Sequence, residues 1–301
     1  MTASAMTPSA PAGARFEPEL ARRKLIGTAF YGICMLAIGI LLLSLVALLY
    51  DVLTRGLPWL DWDFITGSPS RRPANAGLLP ALAGSLMLGL VVALLTFPLG
   101  VAAAIFLTEY AGESRLTRIL RTNISNLSGV PSVIYGIFGL ALFVRVAGLG
   151  FTLISGALTV TLLILPIVII ASMEALRAVP DAQREGAYAL GASRWQMIRG
   201  SLLPAAAPGI MTGMILAMAR AIGETAPLIL VGAFTFVTFL PQPFQGGYTV
   251  LPIQVYQWAG RPQEDFQGIA AAAIIVVLAL MLVLNGLALL VRARLSRHIQ
   301  W

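Results

Sequence analysis

The chain has 301 residues, of which 58% are hydrophobic and only 11% charged, with a net charge of +7 and a mean hydropathy of +0.87. Soluble domains carry about a quarter charged residues, so this composition excludes an ordinary soluble globule and indicates an integral membrane protein. The basic residues sit mostly at the ends of apolar runs, where they orient spans, so the positive balance does not describe a nucleic-acid-binding face.

Residues 1–24 are rich in Ala, Ser and Pro and end in Arg22-Arg23-Lys24; they read as a flexible cytoplasmic tail ahead of a single membrane domain, 25–301. The apolar run Leu25–Tyr50 exceeds the about 7–15 residues of a signal peptide and suits an uncleaved first span of about 20 residues. Further apolar runs lie near 81–107, 125–145, 150–172, 208–235 and 267–291, which predicts an all-α polytopic fold of six transmembrane helices. Only "RVAGLGF" separates the third and fourth runs, so these two should form a tight hairpin.

Fourteen of the 20 Lys and Arg residues fall in the N-terminal tail, the 108–124 and 173–207 loops and the C-terminal tail, against five on the opposite side and Arg220 within a span. That asymmetry places both termini in the cytoplasm. The other connections, 51–80 and 236–266, are rich in Pro, Trp, Tyr and Asp and read as external surface loops with interfacial aromatic anchors.

Several chemistries are excluded by counting. The one cysteine, Cys34, cannot form an intrachain disulfide, and with a single histidine, His298, in the C-terminal tail there is no Cys/His metal set. The lone lysine, Lys24, is followed by Leu25, so there is no phosphate-binding loop of the GxxxxGK[ST] form. The chain is expected to bind no cofactor and to catalyse no reaction. Any ATP and Mg would sit on a partner subunit.

Within the 173–207 loop, "REGAYALGASRWQMIRGSLLPAAAPG" is too polar to span and too periodic for a linker. Ala187, Leu190, Trp195, Ile198 and Leu202 recur at mostly helical spacing around Gly191, which predicts two short helices joined by a glycine turn. On periodicity alone it is either an interfacial helix packed on the protein's own spans or an element that docks into a partner's groove. The stretch resembles the cytoplasmic EAA loop of ABC-importer permeases: Glu185, Gly186 and Ala187, then Gly191, then Leu203 and Pro204 keep its spacing. It departs at Gly186, where alanine is usual, and at Ser201, where an aliphatic residue is usual. The resemblance implies that the loop couples to an ATPase subunit, with Glu185 facing basic residues there. Gly186 should loosen the first short helix by about 1 kcal/mol relative to Ala.

The segment "ARAIGETAPL" sets Arg220 and Glu224 inside the fifth apolar run. Two ionised side chains at mid-span cost roughly 5–7 kcal/mol on an insertion scale, whereas an i,i+4 pair recovers only about 0.2–0.5 kcal/mol. Counted from 208, Arg220 lies about 12 residues along the run, or about 18 Å, close to mid-membrane. Gly223 and Pro227 should bend the helix beside the charges, and "NLSGVPSVIYG" repeats the theme with Gly129 and Pro131 near Ser132. Interrupted spans are tolerated where they line a cavity, and a guanidinium there offers paired donors to a tetrahedral oxyanion. Two readings stay open: Arg220 and Glu224, with Ser132 and Thr225, line a substrate path, or the pair fixes packing against a partner.

Taken with "SNLSGVPSVIYGIFGL" and "LPIQVYQWAG", the run around Arg220 is similar to the PstA-type permeases of bacterial phosphate importers over about residues 75–295. The resemblance implies a multi-pass cytoplasmic-membrane subunit that moves inorganic phosphate. Its implied partners are a homologous PstC-like permease, two copies of a PstB-like ATPase and an external PstS-like phosphate-binding protein. The alternatives are a membrane-embedded phosphate sensor without transport of its own, a permease for another oxyanion, and a channel or secondary carrier working alone, which leaves the loop without a purpose.

Overall fold

The computed structural model describes residues 20–233 and 236–296. Most of the N-terminal tail and His298 lie outside the described residues. Contacts divide the chain into Met1–Asp51 and Val52–Trp301. The first unit is the body of α1 (Leu20–Gly56), a helix of 37 residues that begins before Leu25, within the segment read as tail. Its side chains from Arg23 to Asp51 are almost all exposed, Leu41 by 70% and Leu43 by 72%, as suits an apolar surface turned to lipid or to another chain.

The second unit is a helical bundle. After the short α2 (Trp62–Thr66) come α3 (Leu79–Ile105), α4 (Arg115–Ser128), α5 (Ser132–Gly139) and α6 (Leu153–Arg177). Then follow α7 (Asp181–Ala189), α8 (Arg194–Met197), α9 (Leu203–Gly223), α10 (Ala226–Leu230), α11 (Leu251–Ala259) and α12 (Glu264–Ser296). Five described helices are long and apolar enough to cross a membrane, and the pair α4–α5, bent by 102°, makes a sixth span if taken together.

At the centre stands α6, packed against α3, α9, α5 and α4. Its apolar residues recur on all sides, and Leu153, Val160, Leu163, Ile164 and Leu176 are fully buried. Between helices in lipid there is little hydrophobic gain, so close backbone approach has to supply the attraction. Gly209 and Gly213 of α9, one turn apart, face Ala175 and Ala171 of α6; a Cβ on Gly209 would stand 2.8 Å from that of Ala175. Gly100 of α3 likewise admits Val168. Buried hydroxyls turn inward on their own helices: Thr96 donates to the Val92 carbonyl at 2.7 Å and Thr159 to that of Ser155 at 2.7 Å. The hairpin between the broken span and α6 turns at Gly148 and Gly150, both at positive φ, and Thr152 caps α6.

The connections read as surface loops are partly buried instead. Tyr248, Thr249, Val250, Leu251, Ile253, Gln254 and Trp258 are all buried. Tyr248 packs on Gly156 and the Thr249 backbone on Gly84, while the Leu251 amide donates to Ser85 Oγ at 2.8 Å. Trp258 meets Phe64 with ring centroids 5.9 Å apart, and the Leu78 amide returns to the Phe64 carbonyl at 2.8 Å. These two connections fold over one end of the bundle, and side chains such as Trp62 and Phe244 remain exposed there.

Gly213→Leu should drive a branched side chain into Ala171 and destabilise the bundle by about 1–3 kcal/mol, the usual range for overpacking. Thermal unfolding in detergent would show it as a lowered midpoint; an unchanged midpoint would mean that α6 and α9 do not touch there.

Candidate functional site

Two interrupted helices meet in the bundle. Between α4 and α5 the chain turns at Gly129–Pro131, with Pro131 in extended geometry as the residue that precedes α5. The Gly129 and Val130 amides return to the carbonyls of Asn126 and Leu127, and the Tyr135 hydroxyl donates to the Leu127 carbonyl at 2.8 Å. The break thus supplies partners to the backbone groups it frees, as burial in a membrane requires.

The second interruption is more complete than a bend. Helix α9 stops at Gly223, Glu224 is extended at φ −73° and ψ 130°, and Pro227 falls in the first turn of α10. A proline in a first turn loses no hydrogen bond, since that amide has no helical partner. The helices that follow the two interruptions pack together: α5 lies on α10, where a Cβ on Gly136 would lie 2.7 Å from Pro227 Cα. Only glycine permits that approach.

This geometry corrects the mid-helix position of Arg220. Its helix runs on continuously from Arg194, well before residue 208, and terminates at Gly223, so the guanidinium belongs to the last turn of α9. The unpaired carbonyls there favour a cation, by about 0.3–1 kcal/mol at an exposed end. Arg220 Nε stands 3.9 Å from Glu224 Oε2, with Arg220 47% exposed and Glu224 13%. Because Glu224 has left the helix, the pair is no helical i,i+4 bridge, and it engages one edge of the guanidinium at the limit of an ion pair. Among the described residues nothing else bonds to that guanidinium. Thr225 Oγ1 lies 3.4 Å from the Gly223 carbonyl, and Ser132 is half-buried in the first turn of α5.

The structure thus packs α5, which begins at Ser132 after the Gly129–Pro131 turn, on α10 through Gly136 and Pro227, while Arg220, Gly223, Glu224 and Thr225 lie at the second gap. An oxyanion approaching Arg220 would meet the guanidinium's remaining N–H groups, which can bind two oxygens at once.

The loop motif lies at the other end of the bundle. α7 carries exposed Glu185 and Gly186, while Ala187 is half-buried beside the core. Gly191 takes φ +79°, as a turn after a helix demands, and Ser193 and Gln196 form a reciprocal cap on α8. The second half is not a separate short helix: a π-helical turn, Ile198–Leu202, carries α8 directly into α9, so Leu203 and Pro204 are the first turn of that long helix. Met197, Ile198 and Leu202 are buried, but Leu190 is 90% exposed and Trp195 57%. The apolar period thus serves two surfaces. A leucine bared at a rigid turn suits a partner's groove better than self-packing.

Sequence reading missed Glu109 and Arg184, which the fold joins at 3.4 Å. Their only sequence signal was an acid three residues before Arg184, Asp181, which pairs with it at 2.9 Å.

Residues 96–297 match the family described as "Binding-protein-dependent transport system inner membrane component". The "Phosphate transport system permease protein PstA" of Xylella fastidiosa (strain Temecula1) is 35% identical over 91% of this chain and 96% of its own. That of Haemophilus influenzae is 36% identical over 87% and 92%, and the "Probable ABC transporter permease protein YqgI" of Bacillus subtilis is 37% identical over 70% of each. Among solved structures, a bacterial ABC transporter involved in the import of alginate shares the fold over 91% of this chain and 98% of its own, at a TM-score of 0.63 and 16% identity. The chain is a multi-pass transport component of the cytoplasmic membrane. It belongs to the inner-membrane permease family of binding-protein-dependent ABC transport systems.

Proposed function

We propose that this chain is a permease subunit of an ATP-driven importer of inorganic phosphate. The observation that carries the reading is full-length similarity: relatives named as phosphate transport permeases align over about nine-tenths of the chain, 35% identical in one case. The interrupted helices, with Arg220 at the end of α9, give that similarity a chemical rationale. Phosphate entering a cavity between this chain and a homologous PstC-like permease would be met by the guanidinium, with Ser132 and Thr225 as hydroxyl donors. Glu224, holding Arg220 by one edge at 3.9 Å, would release it to the anion and take it back as the path closes.

At the other end, Glu185, Gly186, Ala187 and Gly191 belong to the surface that docks one of two PstB-like ATPases, the other docking on the homologous permease, with Leu190 as its apolar contact. Leu203 and Pro204 then pass the movement straight into α9, whose far end carries Arg220. A PstS-like binding protein delivers phosphate on the opposite side, and both termini are cytoplasmic. ATP and Mg belong to the ATPases.

Arg220→Gln in the assembled complex should reduce ATP-dependent phosphate uptake into liposomes by about 10²-fold, on the scale of removing a charge-assisted contact of about 2–3 kcal/mol. Sulfate should compete poorly with the wild type. Uptake that survives in an assembled Arg220→Gln complex, or sulfate that competes as well as phosphate, would contradict the proposed site.

Glu185→Lys reverses an exposed charge without touching the bundle core. Pull-down of the ATPase should weaken markedly with the fold intact; undiminished capture would remove Glu185 from the docking surface.

A further inference from the structure

The end of α3 is a π-helical turn, Phe106–Tyr110, and arginines from three other elements converge on it. From α7, Arg184 reaches Glu109 at 3.4 Å; the side chains are only 18% and 10% exposed. The same guanidinium donates to the carbonyls of Leu176 and Val179 at 2.8 and 2.9 Å and to Asp181 at 2.9 Å. It therefore ties α7 to the end of α6 and to α3 at once. From α8, Arg194 lies over the Tyr110 ring, 5.4 Å from its centroid. From α4, Arg121 donates to the Leu107 carbonyl, and Thr117 to that of Ala111 at 2.9 Å.

Adjacent residues of one turn thus grip both halves of the α7–α8 hairpin, while its backbone grips α4, whose far end is the interruption at Gly129–Pro131. A π turn is wider than an α turn and leaves carbonyls accessible to such donors. A planar guanidinium bound on several edges transmits rotation as well as translation, which a single contact would not. We propose that the Phe106–Tyr110 turn is the relay through which the α7–α8 hairpin moves the α4–α5 break, with Arg184, Glu109, Arg194 and Arg121 as positioning residues. The inference rests on the reading of the chain as an ATP-driven permease, and it adds a second route beside the direct continuity of α8 with α9.

The test uses the whole complex with Cys34 replaced by serine and Asn126→Cys as a reporter on the exposed side of α4 next to the break. Labelling by a water-soluble maleimide is measured with and without a non-hydrolysable ATP analogue, in the otherwise unchanged complex and with Glu109→Gln, Arg184→Lys or Arg184→Ala. The analogue should change the labelling rate by about fivefold with the relay intact, the low end of measured site-to-site couplings. Glu109→Gln and Arg184→Ala should abolish that change while the ATPase stays bound, and the exchange of both residues, Glu109→Arg with Arg184→Glu, should restore part of it. A full response in Arg184→Ala, or loss of ATPase binding in every variant including Arg184→Lys, would overturn the proposal, the latter by making the cluster purely structural. The readout does not depend on the cargo, so a complex that fails to carry phosphate but still shows the coupled response would refute the phosphate reading alone.

Discussion

Backbone amides and carbonyls that lose their helical partners inside a membrane have no water to turn to, so every interruption of a span must find other donors and acceptors. That constraint organises the centre of this protein. The α4–α5 break closes its own accounts with the Tyr135 hydroxyl and two turn amides. The α9–α10 gap ends a helix at Gly223 and sets Arg220, beside Glu224, in its last turn. The pairing of a satisfied break with a charged one, locked together where Gly136 receives Pro227, is what distinguishes this region from an ordinary helix crossing.

Everything around that region holds it at a defined place. Small residues let α6 and α9 approach closely, so the C-terminal end of α9 is fixed by packing along its length. The buried connection through Tyr248 and Trp258 closes one end of the bundle against the starts of α3 and α6. The opposite end carries the Gly191 turn, with bare Leu190, and the arginine-gripped end of α3. Motion applied to the turn has two continuous paths inward, one along α8 and α9 towards Arg220 and one through α3 and α4 towards Gly129. Both finish at the same pair of interruptions.

The number of spans, the broken third span and the isolated charge pair were legible in the sequence because each rests on local chemistry: long apolar runs, glycine and proline, and ionised residues where lipid disfavours them. Arg220's place in its helix was not, because the helix begins in a stretch whose polar residues Arg194, Gln196 and Arg199 hide it from hydropathy. The buried 247–258 segment was misread for a related reason. Its Pro, Tyr and Trp suit a surface loop with interfacial anchors, and contacts with Phe64, Gly84, Ser85 and Gly156, far away in the chain, bury Tyr248, Leu251 and Trp258. The Glu109–Arg184 joint spans 75 positions, and beyond Asp181 beside Arg184 no local pattern points to it.

The most direct measurement concerns the field at the second gap. In the assembled complex, Thr225→Cys would be modified by negatively and positively charged thiosulfonate reagents, with and without phosphate, and again with Arg220→Gln. If Arg220 presents its charge to an anion path, the negative reagent reacts faster, phosphate but not sulfate slows it, and the Arg220→Gln change removes the preference. Equal rates for both reagents, unaffected by phosphate or by Arg220, would place the charge pair in the packing of the assembly and move the path elsewhere.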